Sequence, residues 1–207
     1  MSISVLVATF GDREWERLAD ERTLPSLRRQ DRGWELIARH QDEGPVTSSR
    51  NACAKEATGD WLLFVDADDE LAPGFFGAME RAVEREGTNG DRLLLTPALN
   101  RPGRSRKAFF LPEKPLSDNN WLVIGTLIQR DFFWEIGGFD EQDPHGLEDW
   151  SLWTRAAAAG ARVVKVPDAV YIAHTRRLSS HALYARNPEY GVEYTRIRRA
   201  AWPELYA

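Results

Sequence analysis

A chain of 207 residues with 43% hydrophobic and 29% charged residues can bury a sizeable core without disulfide or metal staples. Its formal net charge of −5 supplies no bulk positive field for nucleic acid, no apolar run approaches the ~20 residues of a membrane span, and its single cysteine, Cys53, permits no internal disulfide. Spanning, fibrous and disulfide-stapled classes are thereby excluded, and a reducing, cytoplasmic compartment is expected, with no transmembrane anchor and no nucleic-acid partner.

Ile3–Thr9 is a short apolar run suited to a buried strand, and with no basic stretch before it the N-terminus reads as a strand rather than a secretory leader. Trp15–Gln30 carries a helical stripe of Leu18, Leu24 and Leu27, with Pro25 inside it, so the segment is one helix or two short ones. Trp34–Ala38 predicts a second strand, residues 46–57 a helix that stops at Thr58-Gly59, and Trp61–Val65 a central buried strand. Residues 73–86 predict a helix with Pro73 in its first turn. This alternation argues for an α/β sandwich with a parallel sheet. Further on, Arg92–Leu99 and Leu122–Gln129 predict strands separated by a Pro-rich, basic loop over 100–120. A helix over 147–159 ends at Gly160, strands are expected at Arg162–Val166 and Val170–Ala173, and 175–195 reads as an irregular tail. No repeat or linker divides the chain, so one domain is expected over 1–207.

The most informative run is Trp61-Leu62-Leu63-Phe64-Val65-Asp66-Ala67-Asp68-Asp69, an apolar strand ending in carboxylates. Residues two apart on a strand share a face, so Asp66 and Asp68 can point the same way. Ligands of open α/β sheets sit outside the carboxyl ends of the strands. A hard divalent ion held by one or two carboxylates and substrate phosphates would relieve the repulsion there. The plain alternative is a polar turn that starts the next helix. Glu148-Asp149 opens the later helix, where the dipole alone favours carboxylates.

Asp66-Ala67-Asp68-Asp69-Glu70-Leu71-Ala72-Pro73 resembles the metal and nucleotide-sugar motif of glycosyltransferase family 2, in the GT-A fold. Other segments resemble the family in the same order: Ser4–Phe10, Leu24–Gln30, Arg50-Asn51-Ala52, Ala57–Asp60, Ile124–Arg130, Gly137–Asp140 and Glu148–Leu152. The resemblance runs from residue 3 to residue 181. It implies a GT-A (Rossmann-like) α/β/α sandwich with a mainly parallel central sheet. Residues 1–69 would bind the nucleotide sugar, 70–181 would form the acceptor and catalytic half, and 182–207 would be a C-terminal tail. It also implies a metal-dependent, inverting transfer from a nucleoside-diphosphate sugar to a hydroxyl of a carbohydrate, lipid-linked or protein acceptor, with Mn²⁺ or Mg²⁺ as cofactor.

Carried onto this chain, the family pattern assigns Asp68, Asp66 and His174 to the metal. It assigns Thr9, Asp42, Arg50, Asp66 and Arg176 to the donor. Asp149 becomes the general base, with Glu148 orienting it or the acceptor. Two positions depart from the pattern: Gly11-Asp12 stands where an Asn is common, and Asp42 is the nearest replacement for the usual acid after the second strand. A peripheral membrane contact through the basic stretch Arg101–Lys107 is a further expectation. Two rival readings are a haloacid-dehalogenase-like phosphatase with Asp66 as nucleophile and a degenerate protein that binds a nucleotide sugar without turnover. Glu70 stands where the phosphatase motif usually has Thr or Val, and two strands precede the acidic one.

Overall fold

The chain begins with β1 (Ile3–Phe10), a helical stretch formed by α1 (Glu14–Leu18), a π-helical turn (Ala19–Thr23) and α2 (Leu24–Arg28), then β2 (Glu35–Gln41), α3 (Val46–Glu56) and β3 (Trp61–Phe64). It continues through β4 (Glu70–Leu71), α4 (Phe75–Glu86), β5 (Leu93–Asn100), β6 (Leu127–Gln129), α5 (Arg130–Glu135), α6 (Glu148–Ala158) and β7 (Arg162–Ile172). This computed structural model describes residues 1–30, 33–86, 92–105, 107–114, 116, 119–142 and 147–174, together with Arg196.

The strands form one sheet in the order β2-β1-β3-β6-β5-β7-β4. β1 pairs in parallel with β2 and β3, and β5 in parallel with β7. β6 lies antiparallel between β3 and β5, and β4 is antiparallel to β7. Thus β2, β1, β3, β5 and β7 run one way, and their carboxyl ends open on one rim. α3 packs on β1 and β2, and α4 on β7. The near-continuous apolar runs of β1, β3 and β5 follow from this: all four residues of β3 are buried, as are Leu93, Leu94 and Leu95.

Aromatic packing ties the central strand to the segment that leads into α6. Phe64 meets Phe139 edge-on at 4.9 Å and Phe133 at 5.4 Å, and all three rings are buried. Each such pair adds about 0.5–1.5 kcal/mol beyond the area it buries. Gln30 performs a similar task at the acidic loop. Its Oε1 accepts the Phe75 N–H at 3.1 Å, serving the start of α4, and its Nε2 donates to the carbonyl of Ala72 at 3.0 Å.

Two elements differ from the sequence-based expectation, and one that the sequence left open is decided. Pro25 does not divide the first helical stretch, because it sits in the first turn of α2, directly after the π-helical turn. The two strands expected at 162–166 and 170–173 are one strand, β7. Its register against β5 jumps from Pro97↔Val166 to Ala98↔Val170, and the extra residues around Pro167, which has no N–H for the ladder, form a bulge. The strand expected over Leu122–Gln129 is confined to Leu127–Gln129. Before it the Thr126 N–H turns back to the Val123 carbonyl at 3.0 Å.

Gly125 lets that turn pass against the Tyr171 ring. A Cβ built there would lie 2.2 Å from Cδ2 of Tyr171, a fully packed side chain at 1% exposure. Gly125→Ala is therefore expected to destabilise the fold by about 1–3 kcal/mol through overpacking. Chemical denaturation measures this, and an unchanged midpoint would mean that Tyr171 has room to move.

Candidate active site

β3 ends at Phe64, and the Val65 N–H still reaches the Leu6 carbonyl at 3.0 Å. The chain then turns at the carboxyl rim, with the Asp69 N–H donating to the Asp66 carbonyl at 3.1 Å. The Thr23 hydroxyl bridges this turn, 3.0 Å from the Asp66 carbonyl and 2.8 Å from that of Asp69. The Asp66 N–H donates to the Tyr171 hydroxyl at 3.2 Å. Asp66 and Asp68 are half-buried, while Ala67 and Asp69 between and after them are buried. Both Asp66 and Asp68 therefore belong to a turn beyond the strand rather than to one strand face.

Asp69 faces inward. Burial pushes its carboxyl well above the usual carboxylate range, and the charges of Asp66 and Asp68 push further; the His174 N–H, donating at 2.8 Å, and Tyr171 oppose them. The Tyr171 hydroxyl is pushed up in turn, by burial first and then by Asp69 and Asp66.

Arg50, on α3, joins this turn to α6. Its Nη2 donates to Asp66 Oδ1 at 2.7 Å and its Nη1 to Glu148 Oε1 at 2.6 Å, while the guanidinium lies over the Phe139 ring, 5.3 Å from the centroid. The Arg50 side chain is 8% exposed and that of Glu148 13%. Burial lowers the Arg50 pKa, but the attraction of Asp66 and Glu148 outweighs it and holds the guanidinium above its ordinary range. The neighbouring Asn51 fixes the approach to α6. Its Nδ2 donates to the Phe139 carbonyl at 2.9 Å and its Oδ1 accepts the Phe139 N–H at 3.0 Å. Gly138 makes room for this contact: its φ is +66°, and a Cβ there would stand 3.0 Å from Asn51 Oδ1.

Asp149 follows Glu148 in the first turn of α6. Its Oδ1 accepts the Trp150 N–H at 2.7 Å and its Oδ2 accepts from Asn120 Nδ2 at 3.0 Å. Its carboxyl is pushed up to about 7, by burial first and then by the charge of Glu148; Arg50, the Trp150 N–H and Asn120 pull the other way. A half-buried carboxyl pushed up towards neutrality is suited to acid–base work. Trp153 is core packing at 0% exposure, and Trp150 Nε1 donates to the Leu116 carbonyl.

The structure brings Arg50, Asp66, Glu148 and Asp149 together. Asp68 lies on the same turn as Asp66, and the His174 N–H meets that turn at Asp69, while the imidazole and the remaining residues singled out in the sequence are engaged elsewhere. Thr9 is buried at the end of β1, its Oγ1 3.0 Å from His40 Nδ1. Asp42 is exposed beyond β2 and accepts from Arg13 Nη2 at 3.1 Å. His174 Nε2 lies 2.9 Å from Glu70 Oε1, and Arg29 donates to the same carboxylate at 3.2 Å. Arg176 lies outside the described residues, as does the tail 182–207 apart from Arg196. Among the described residues no three His, Cys, Asp or Glu side chains are grouped to hold a metal ion by themselves. A divalent ion that takes one or two carboxylates and completes its shell with phosphate oxygens needs no such group. The crowded charges of Asp66 and Asp68, which raise Asp69, are a donor set that fits it.

Four contributors were given no role from the sequence. Thr23 and Tyr171 hold the acidic turn from elements 43 and 105 residues away. Asn51 stands in the family-like segment Arg50-Asn51-Ala52, but its pairing with Phe139 spans 88 residues. Asn120 comes from a loop without periodicity.

A family model described as Glycosyl transferase family 2 matches residues 16–135, more than half of the chain. The Bacillus subtilis (strain 168) protein named uncharacterized glycosyltransferase YwdF is 32% identical over 144 residues, 66% of this chain and 53% of that protein. The Myxococcus xanthus O-antigen biosynthesis protein RfbC is 28% identical over 171 residues, 72% of this chain and 13% of that protein. The chain thus spans about half of the first relative and a small part of the second. Among solved structures, S. aureus TarS 1-349 in complex with UDP-GlcNAc has a TM-score of 0.67 at 20% identity, covering 87% of this chain and 60% of its own. GalNAc-T7 with UDP, GalNAc and Mn²⁺ has a TM-score of 0.62 at 14% identity, covering 85% and 44%. At these identities the structures speak for the fold, and the family match speaks for descent: the chain belongs to glycosyl transferase family 2 and has the GT-A fold.

Proposed function

We propose that the protein transfers a sugar from a nucleoside-diphosphate sugar to a hydroxyl acceptor, in a metal-dependent reaction that inverts the anomeric centre. The observation that carries this reading is the bridge Asp66–Arg50–Glu148, which sets the carboxylates after β3 beside Asp149 at the start of α6. Family membership supports it, as do the UDP-GlcNAc complex of TarS and the UDP, GalNAc and Mn²⁺ complex of GalNAc-T7.

In this reading the half through Asp69 binds the donor and the half from Glu70 shapes the acceptor site. Asp149 accepts the proton of the acceptor hydroxyl as its oxygen attacks the anomeric carbon. A carboxylate whose conjugate acid is pushed up to about 7 is a stronger base than an ordinary one and is still about half ionised at neutral pH. Glu148, neutralised by Arg50, orients the base rather than competing for the proton. Attack from the face opposite the leaving diphosphate inverts the configuration without a covalent enzyme intermediate. Asp68 with Asp66 would hold Mg²⁺ or Mn²⁺, which when bound neutralises charge on the leaving diphosphate. Thr9 and Asp42 are assigned to the nucleoside side, and His174 and Arg176 to the diphosphate side.

Thermal unfolding against a panel of nucleoside diphosphates, with and without Mn²⁺, tests the donor site. A ligand at about 100 times its Kd stabilises by about 2.7 kcal/mol, a rise of about 5–10 °C for a chain of this size. The rise is expected for one base, larger with Mn²⁺, and reduced to its metal-free value in Asp68→Ala. No rise with any nucleotide, with or without metal, would overturn the reading. A rise without turnover of the matching nucleotide sugar would favour the degenerate binding protein.

A further inference from the structure

The loop after β5 carries a charge pattern that the donor chemistry does not use. Residues 101–114 contain Arg101, Arg104, Arg106, Lys107 and Lys114 against one acid, Glu113, in a chain of net charge −5. Glu113 is itself held by Lys165 of β7. The base of the loop is fixed: Leu99 and Phe109 exchange both backbone hydrogen bonds, at 2.7 and 2.9 Å. The Arg101 carbonyl accepts from the N–H groups of Arg104 and Ser105, and the Arg101 N–H donates to Ser105 Oγ at 3.2 Å. Arg101 therefore stands on a rigid turn at the carboxyl end of β5. Its neighbour Asn100 accepts the Ala173 N–H at 2.8 Å, one residue before His174.

Arg101 is half-buried, yet among the described residues its guanidinium makes no ion pair or hydrogen bond. A partly desolvated cation without a counter-charge is costly unless something anionic completes it. Burial lowers its pKa and Arg104 lowers it further, while Asp69 is the acid that attracts it. The far end of the same connection carries Asn120, which touches Asp149 at 3.0 Å. The same connection between β5 and β6 thus carries, at its start, an arginine unpaired among the described residues and, at its far end, a contact to the proposed base.

We propose that Arg101, with Arg104 beside it, is a subsite for an anionic, phosphate-bearing group of the acceptor. The assignment of this anion to the acceptor rests on the transferase reading above. The ligand is a phosphate group rather than a membrane surface, because a surface contact draws on exposed apolar side chains. Among the described residues the large ones that are exposed are Met1, Phe10 and Leu36, none of them in this loop.

A labelled short inorganic polyphosphate serves as the probe, titrated with and without the nucleoside diphosphate that stabilises the protein best. Binding is expected in both conditions, weakened about tenfold by Arg101→Ala, the loss of one charge-assisted contact, and comparably by Arg104→Glu. Nucleoside-diphosphate affinity is expected to be unchanged in both variants. Among the described residues Arg101 has no side-chain partner to lose, and Arg104 is exposed, so both variants should melt like the parent. Wild-type polyphosphate affinity in both variants would overturn the proposal. Displacement of the probe by the nucleotide, or weaker nucleotide binding in Arg101→Ala, would return the arginine to the donor diphosphate. Capture by anionic vesicles without polyphosphate binding would favour a membrane surface. Arg101-dependent polyphosphate binding in a protein that no nucleoside diphosphate stabilises would keep the anion site and remove the transferase reading.

Discussion

Asp149→Asn is expected to lower transfer about 10²–10⁴-fold while nucleoside-diphosphate binding is retained. The amide can still accept the Trp150 N–H, so the start of α6 survives and the loss reports chemistry. The pH dependence is the sharper test. In the parent, kcat/KM should rise tenfold per pH unit up to an inflection near 7 and level off above it, because the proton that inactivates the base sits on a carboxyl pushed up to about 7. Burial and Glu148 raise that inflection, and Arg50, the Trp150 N–H and Asn120 hold it down. Asn120→Ala should therefore move it to higher pH, with a smaller loss of plateau rate than Asp149→Asn. Stability carries the same signature. A carboxyl whose folded pKa exceeds its ordinary value contributes stability that is complete below the unfolded pKa and lost as pH rises through about 7. The parent should lose stability between pH 5 and pH 8 relative to Asp149→Asn, in which that slope is absent. Full activity in Asp149→Asn, or an inflection at an ordinary carboxylate value, would remove Asp149 from the role of base.

Much of this site was legible because its carboxylates are local features. β3 is an apolar run that stops at Asp66, and α6 begins with two acids in its first turn, where the exposed N–H groups favour them. A strand end and a helix start can each be read from about ten residues. The segment Leu122–Thr126 misled for a complementary reason. It is apolar enough to be a strand, but Gly125 must pass against the Tyr171 ring, and the chain turns there instead. Periodicity cannot separate a buried turn from a buried strand when the deciding contact is 46 residues away. β7 shows the reverse case: Pro167 marks an interruption of the ladder, yet the partner strand continues and the interruption becomes a bulge. The role of Arg50 was the least legible. The family resemblance assigns it to the nucleotide, whereas its fork is occupied by carboxylates 16 and 98 residues away.

That occupation sets the outcome of removing it. Arg50→Ala leaves Glu148, whose side chain is 13% exposed, without its counter-charge, and leaves Asp66 facing it with nothing between. Breaking a buried pair in this way costs about 3–5 kcal/mol. For a chain of this length that corresponds to a melting point lower by about 6–20 °C. The cost falls mainly on the Glu148 side, since Asp66 is 39% exposed and water screens it. Catalysis should fail beyond what unfolding explains: without the guanidinium the charge of Glu148 acts unopposed on Asp149, and the inflection of kcat/KM moves above 7. Arg50→Lys restores a charge but not a planar fork, so it should hold one carboxylate at a time and recover part of the stability. The pairing can be isolated with Glu148→Gln. If Arg50 acts through Glu148, Arg50→Met combined with Glu148→Gln should be more stable than Arg50→Met alone, and the double-mutant cycle should give a coupling of about 0.5–3 kcal/mol. Additive effects, with an inflection that stays near 7 in Arg50→Ala, would mean that the bridge is packing alone and that Asp149 is tuned by its burial and by Asn120.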